Sequence, residues 1–284
     1  MSAVSNLPLP AGVHARTVEV PGGPLAVLDA DPVGGHRGTV VMVPGFTGSK
    51  EDFRHVLEPL AAQGFRVVAI DQRGQYQSPG PDDPSAYSVE ALGTDVLHLV
   101  QALGDGPVHL VGHSFGGLVG RAAVLQDPAA FRSLVLMDSG PSALTGPRAD
   151  VLPFLRPVLL EGGLEALWEA SEAIGRERPR VVELTAEVRE FLHARLLGSS
   201  PVGLLATADA LLSEADRVAE LAALDVPTLV MYGEGDDAWL PDVQDAMALR
   251  LGAPVVVVPD AMHSPAAENP ALTAQVLRDF LTSV

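Results

Sequence analysis

The stretch "GHSFGG" (Gly112–Gly117) stands between the apolar segment "PVHLV" and the helical segment "LVGRAAVLQ". It is the pattern G-x-S-x-G at a strand–turn–helix junction, the context in which this pattern carries chemical meaning. Glycines at 112 and 116 leave room for a sharp turn that lifts the Ser114 hydroxyl above the sheet edge. The following helix points its N-terminal amides at the same spot, which favours developing negative charge there. The stretch therefore predicts Ser114 as a nucleophile.

Strand-like and helix-like patterns alternate along most of the chain. The strand-like runs are apolar on both faces, which is typical of a parallel sheet covered by helices on both sides. Two leading strands, "RTVEV" and "LAVLDA", precede them. The pattern predicts an α/β fold with a doubly wound, mostly parallel sheet whose ligand sites lie at the carboxyl ends of the strands. The later strands are predicted at 39–43, 65–70, 107–112, 131–137, 227–232 and 253–258, and helices at about 51–63, 88–103, 115–127, 241–251 and 270–283.

One long interval breaks this alternation. Residues 141–224 contain helical patterns such as "GGLEALWEASEAIGRE" but no convincing strand. The interval is too long for a loop. We therefore predict a helical cap at 141–224, inserted after the sixth strand, and a core formed by residues 1–140 and 225–284.

A serine nucleophile needs a general base, and the base needs an orienting acid. Of the eight histidines only His193 and His263 follow Ser114. His263 comes directly after the last strand and is the predicted base, whereas His193 lies inside the helical interval. His113 is adjacent to Ser114, and the turn is expected to point its side chain away.

Three aspartates are candidates for the orienting acid, which this architecture places between the serine and the histidine in sequence. Asp236 and Asp237 are neighbours in "YGEGDDAWLP", after the strand at 227–232. Asp138 follows the preceding strand in "LVLMDSGP" and is the competing position. The residues alone leave the choice open.

Two backbone amides are predicted to bind the oxyanion. One belongs to Phe115, the residue after the nucleophile. The other belongs to Phe46 in "PGFTGSKEDF", the loop after the strand at 39–43, where Gly45 permits close approach. This loop does not have the spacing of a phosphate-binding loop, and no G-x-G-x-x-G opens the first βα unit.

Charge and composition narrow the possible partners. The chain of 284 residues has 36 acidic and 18 basic side chains, a formal charge of −18, so nucleic acid and anionic membrane surfaces are disfavoured as partners. It has no cysteine, and no histidines show metal-ligand spacing with a carboxylate partner, so a metal site is not expected. The N-terminus does not resemble a secretory signal and no apolar run has membrane-spanning length, so we expect a cytoplasmic protein. Whether it is a monomer or a homodimer stays open.

These motifs together resemble the α/β-hydrolase superfamily over nearly the whole chain. The resemblance rests on "VPGFTGS", "VGHSFGG", "LVLMDSGP", "VPTLVMYGEGDDAWLP" and "VPDAMHSPAAENP". It implies an eight-stranded core sheet, a helical cap and a Ser114–Asp–His263 triad without a cofactor. Relatives commonly show G-x-x-D after the acid-bearing strand, which counted from Gly233 favours Asp236 over Asp237. Where many relatives carry R-G-H-G-x-S, this chain has Gln75 in place of the histidine.

The expected activity is hydrolysis of a carboxylic ester with a small to medium apolar acyl group, through an acyl-enzyme. The same machinery serves lactone, thioester and carbon–carbon hydrolysis, acyl transfer and perhydrolysis, and the fold does not separate them. A ligand-sensing receptor that keeps the triad is the non-enzyme alternative. Several apolar cap residues are expected mainly to pack the cap helices together, although they could line an acyl pocket. They are Phe154, Leu155, Leu164, Leu167, Trp168, Leu196 and Leu197.

Overall fold

A computed structural model describes residues 7–177 and 184–284. In these residues eight strands form one sheet in the order β1-β2-β4-β3-β5-β6-β7-β8. β1 and β2 are antiparallel to each other, β2 is antiparallel to β4, and all the other pairs are parallel. The strands are β1 (Val13–Val20), β2 (Gly23–Ala30), β3 (Gly38–Val43), β4 (Phe65–Ile70), β5 (Val108–His113), β6 (Phe131–Met137), β7 (Thr228–Gly233) and β8 (Val255–Val258).

The helices follow the strands in the predicted alternation. A 3₁₀ turn at Lys50–Phe53 leads into the first helix, and α4 is interrupted at Gly163, where φ is 73°. The helices are α1 (Arg54–Ala61), α2 (Val89–Leu103), α3 (Phe115–Gln126), α4 (Pro147–Glu177), α5 (Ala186–Leu197), α6 (Pro201–Ser213), α7 (Val218–Ala222), α8 (Pro241–Leu251), α9 (Pro265–Glu268) and α10 (Pro270–Ser283).

Alternate residues of the central strands enter separate apolar cores on the two faces of the sheet. Val41 and Val43 of β3 belong to the core that contains Phe115 of α3, whereas Val40 and Met42 belong to the other core. This alternation follows from the two-residue period of a strand. Burial on both faces explains why the strands are continuously apolar. The predicted α/β class and mostly parallel sheet are confirmed.

Helices α4–α7 lie between β6 and β7 in the chain, so the insertion follows the sixth strand as predicted. Residues 178–183 of the predicted cap, and residues 1–6 of the predicted core, lie outside the described residues. The limits of the cap at 141 and 224 stay a prediction.

Within the described ranges no single helix has the length and hydropathy to cross a bilayer. Helices α5 and α6, which are bent by 94° relative to each other, pass that test only as a pair and only by length and composition.

Candidate active site

The junction of β5 and α3 holds Ser114 in a strained conformation. Its φ of 56° lies in the left-handed region, which a non-glycine residue adopts rarely and usually at functional sites. A Cβ on Gly112 would lie 2.4 Å from the Gly116 carbonyl oxygen, and one on Gly116 would lie 2.3 Å from that of Val43. Both glycines are therefore required by close backbone approach. The strain and the crowding together fix the position of the Ser114 side chain.

The loop after β8 brings His263 against Ser114. The distance from His263 Nε2 to Ser114 Oγ is 2.9 Å, and that from His263 Nδ1 to Asp236 Oδ1 is 2.7 Å. Because a carboxylate only accepts, Nδ1 carries the proton and Nε2 accepts from the serine hydroxyl. Ser114 and His263 are each 6% exposed. These bonds link serine, imidazole and carboxylate in the order required for nucleophile activation.

Asp236 is buried and accepts two further hydrogen bonds, one from the loop after β7 and one from α8. Its Oδ1 accepts from the Ala238 amide at 2.9 Å, and its Oδ2 accepts from Gln244 Nε2 at 2.8 Å. Trp239 is fully buried, and its indole N–H donates to the Ser142 carbonyl at 3.2 Å, which fixes the loop against the beginning of the inserted segment. The sequence analysis favoured Asp236 over its neighbour, and in the structure Asp236 is the residue that contacts His263.

Asp237 points in another direction. Its Oδ1 accepts from Arg148 Nε of α4 at 2.6 Å, in a partly exposed ion pair. Adjacent residues of a loop project to different sides, so one of the two aspartates reaches the imidazole and the other reaches the inserted helices. No pattern in the sequence indicated the bond to Arg148.

Asp138 directly follows β6 and is fully buried next to Asp236. Its Oδ1 accepts from the Gly233 amide at 2.9 Å, whereas its Oδ2 is buried and has no hydrogen-bond partner among the described residues. Burial, and then the nearby Asp236, raise the pKa of Asp138 well above the usual value. Burial also raises the pKa of Asp236, to about 7. Asp236 nevertheless accepts more hydrogen bonds than Asp138, so the pair carries its charge on Asp236 and its proton on Asp138.

Asp138, Asp236 and His263 form a cluster in which one potential metal ligand atom from each lies within 4.8 Å of the others. Both ring nitrogens of His263 are already engaged, by Ser114 and Asp236. A cation would have to displace one of these bonds. The geometry therefore fits a hydrogen-bonded acid–base set better than a metal centre.

His113 differs from the sequence expectation. Its side chain does not point away from the site, because its Nε2 donates to the His263 carbonyl oxygen at 2.6 Å. Burial lowers the pKa of His113, which fits a neutral ring with its proton on Nε2. The residue thus supports the backbone that carries His263. No pattern in the sequence indicated this contact, since His113 is the last residue of β5 and His263 lies in the loop after β8.

The predicted oxyanion donors both border the nucleophile. Phe115 is the first residue of α3, so its amide has no acceptor within that helix. Phe46 lies in the loop after β3, next to Gly45, where a Cβ would lie 2.9 Å from Ser114 Cβ. Among the described residues no acceptor is found for the Phe46 amide. The loop after β3 and the first residue of α3 thus each carry one of the predicted donor amides beside the serine.

The inserted helices close tightly over this region. A cavity of about 10 Å³ lies between Thr47, Gln75 and Phe115 on one side and Leu204 and Thr207 of α6 on the other. A hollow of this size holds about one water molecule.

The apolar residues singled out in the insertion divide into two groups. Leu167 and Leu196 are buried in a small cluster with Leu159 and Leu204, and Phe46 of the core packs against that cluster. Leu155, Leu164 and Trp168 are partly buried against it, whereas Phe154 is 72% exposed and Leu197 is 36% exposed. The cluster thus packs the insertion together and reaches the loop that carries a proposed oxyanion donor.

The model of the alpha/beta hydrolase family matches residues 40–276, which include every candidate site residue. The chain belongs to the α/β-hydrolase family. The predicted family membership and fold are thereby confirmed. The family also supports the expectation that the chain is a hydrolase.

Individual relatives differ in their reactions. A putative 2-succinyl-6-hydroxy-2,4-cyclohexadiene-1-carboxylate synthase of Bacillus subtilis (strain 168) is 26% identical over 86% of this chain and 90% of its own length. A pimeloyl-[acyl-carrier protein] methyl ester esterase of Aeromonas hydrophila is 27% identical over 80% of this chain and 89% of its own. The structure of a thermophilic esterase from Thermogutta terrifontis matches with a TM-score of 0.75 and 26% identity, covering 95% of this chain and 98% of that one. Membership in the family therefore leaves the substrate open.

Proposed function

We propose that this α/β-hydrolase cleaves carboxylic esters through an acyl-enzyme formed on Ser114. The observation that carries the proposal is the hydrogen-bond chain from Ser114 Oγ to His263 Nε2, at 2.9 Å, and from His263 Nδ1 to Asp236 Oδ1, at 2.7 Å. Such a chain activates a serine hydroxyl for attack on a carbonyl carbon. Two of the related proteins are esterases by name, which supports the same chemistry.

The reaction proceeds in two halves. Ser114 Oγ attacks the carbonyl carbon as its proton passes to His263 Nε2, and the carbonyl oxygen becomes an oxyanion. The intermediate collapses, and the leaving alcohol takes the proton from His263. Water then gives a proton to His263 as it attacks the acyl-enzyme, and that proton returns to Ser114 as the acid leaves. Asp236 stays ionised throughout and stabilises the imidazolium.

The oxyanion is bound by the amides of Phe46 and Phe115 in this proposal. Removal of one such donor in a hydrolase costs about 10²- to 10³-fold in kcat. Both donors are backbone groups held by buried structure, so they need little reorganisation when charge develops.

The substrate is proposed to be a small molecule with a small to medium apolar acyl group. The support for this is the apolar cluster of Leu159, Leu167, Leu196 and Leu204, which packs against Phe46. An acyl chain next to the oxyanion would meet this surface once the inserted helices open.

The test is turnover of short p-nitrophenyl esters, combined with labelling by a fluorophosphonate. Wild type should show both, and Ser114→Ala should show neither. Ser139→Ala is the matched control, because Ser139 is a fully buried serine near α3 outside the hydrogen-bond chain. It should retain turnover and labelling. Absence of Ser114-dependent turnover and labelling in wild type would reject the proposal.

A panel of acyl esters, lactones and thioesters, with added alcohol or peroxide as alternative acceptors, separates the related reactions. Preference for a lactone or thioester would redirect the assignment within acyl transfer. Tight ligand binding without any Ser114-dependent turnover would instead favour a ligand-sensing receptor.

A further inference from the structure

We infer that Gln75 is a positioning residue that orients the amide of Phe46 toward the oxyanion. The inference rests on the proposed function and deepens it. Gln75 occupies the position at which many α/β-hydrolases carry the histidine of R-G-H-G-x-S. In this structure its Nε2 donates to the Gly45 carbonyl oxygen at 2.8 Å.

The contact acts through a single peptide unit. The Gly45 carbonyl and the Phe46 N–H belong to the same planar peptide, and in the trans form they point in opposite directions. A side chain that fixes the direction of the carbonyl therefore fixes the direction of the N–H. The Gly45 carbonyl also accepts from the Gly48 amide at 3.0 Å, so both of its lone pairs are used.

Gln75 is itself held rigidly enough to serve this role. Its Oε1 accepts from the Gln72 amide at 3.0 Å, so both ends of the side-chain amide are bonded. The residue is only 9% exposed. Thr47, which directly follows Phe46, has a φ of 57°. This is a strained backbone conformation that the surrounding contacts have to stabilise.

A neighbouring glutamine provides a matched control. Gln72 is 4% exposed and its Nε2 donates to the Pro44 carbonyl at 2.8 Å. The two glutamines thus make the same bond to consecutive carbonyl groups of one loop. The peptide held by Gln72 carries the N–H of Gly45, which is not a proposed oxyanion donor, whereas the peptide held by Gln75 carries the N–H of Phe46.

The experiment compares Gln75→Met with Gln72→Met, since methionine keeps the length of glutamine and removes the donor. Gln75→Met should lower kcat by roughly 10- to 100-fold with KM nearly unchanged, because the misaligned amide acts only on the transition state. Binding of a trifluoromethyl ketone, which forms an oxyanion adduct with Ser114, should weaken by a similar factor. Gln72→Met should lower the Tm to a similar extent while kcat stays within a few-fold of wild type.

A second readout does not depend on turnover. Selective ¹⁵N labelling of the eight phenylalanines gives amide NMR signals for both proposed donors. Gln75→Met should shift or broaden the Phe46 signal and leave that of Phe115 in place, whereas Gln72→Met should affect Phe46 much less.

The outcomes separate this inference from the proposed function. Equal losses of kcat in the two variants, or an unchanged Phe46 signal in Gln75→Met, would overturn the role of Gln75. If wild type turned over no ester but the Phe46 signal responded only to Gln75→Met, the proposed function would fail and the positioning contact would stand.

Discussion

The two adjacent aspartates after β7 make the sharpest prediction at the scale of single residues. Asp236→Asn should lower kcat by about 10⁴-fold, because an amide cannot hold the His263 tautomer in which Nδ1 carries the proton. Asp237→Asn should change kcat by only a few-fold, since it removes a partly exposed ion pair with Arg148. The measurement is kcat for the best ester of the panel with both variants.

The asparagine variants are matched in size and neighbouring in sequence, so each controls for the other. Circular dichroism and Tm should show that both are folded. The reverse order of kcat losses would move the acid to Asp237, and equal losses would leave neither residue with that role.

Asp138 leads to a prediction about stability and pH. Burial and the nearby Asp236 raise its pKa in the folded protein above that of the unfolded chain. Between these two pKa values the folded protein keeps a proton that the unfolded chain has released, so the free energy of unfolding falls as pH rises. Each unit of the pKa difference corresponds to about 1 kcal/mol.

Asp138→Asn removes this dependence because the amide stays neutral and can still accept from the Gly233 amide. The Tm of the variant minus that of wild type should therefore increase between about pH 5 and about pH 8, by roughly 2 to 4 °C for each kcal/mol. Asp82→Asn, at an exposed position, is the control and should show no such trend. A Tm difference for Asp138→Asn that is flat or decreases with pH would mean that Asp138 is ionised in the folded protein.

At the scale of elements, α5 is attached to the loops that surround the site. Arg195 Nη1 donates to Asp52 Oδ1 in the 3₁₀ turn at 2.6 Å, and the Tyr76 amide donates to Ser199 Oγ, just after α5, at 3.2 Å. The Phe191 ring also meets the Tyr76 ring edge-on, with the centroids 5.8 Å apart. These contacts hold α5 over the loops that follow β3 and β4.

Arg195→Leu should therefore loosen α5 from the core. Amide hydrogen exchange in α5 should accelerate by about 3- to 10-fold, which corresponds to the loss of one partly buried ion pair. The control is Arg156→Leu, because the Arg156–Asp209 pair joins two helices of the insertion at 2.7 Å without touching the core. If both variants changed exchange in α5 equally, the Arg195 contact would not be an attachment to the core.

The elements themselves were largely predictable from local patterns. The helices expected at 88–103 and 241–251 correspond to α2 and α8, and the strand expected at 131–137 is β6. Hydrophobic period and glycine or proline boundaries act within a few residues, so they are visible in the sequence. The order of the strands was not visible, because it depends on pairing between segments far apart in the chain.

The same distinction applies to the site. The nucleophile turn and the histidine loop were recognisable from motifs. The bonds from Gln75 to Gly45 and from His113 to His263 were missed, because they join loops of different strands, 30 and 150 residues apart. Counting from Gly233 favoured Asp236 over Asp237 as the orienting acid. Which of the two contacts His263, however, depends on the folded structure and not on the motif. In the fold Asp236 contacts His263 of the loop after β8 and Asp237 contacts Arg148 of α4, and neither contact is encoded by a local pattern.

At the scale of the whole molecule, the charge of −18 and the sequence pI of about 4.6 set the long-range field. A field of this sign repels anionic substrates during diffusional approach, and salt screens it over a Debye length of about 30 Å at 0.01 M and about 10 Å at 0.1 M. We therefore predict that kcat/KM for an ester with a carboxylate in its acyl chain rises as salt is raised through this range, by several-fold. The neutral methyl ester of the same acid is the control and should respond much less. An equal response of both substrates, or a fall for the anionic one, would show instead that local positive groups such as Arg148 govern approach to Ser114.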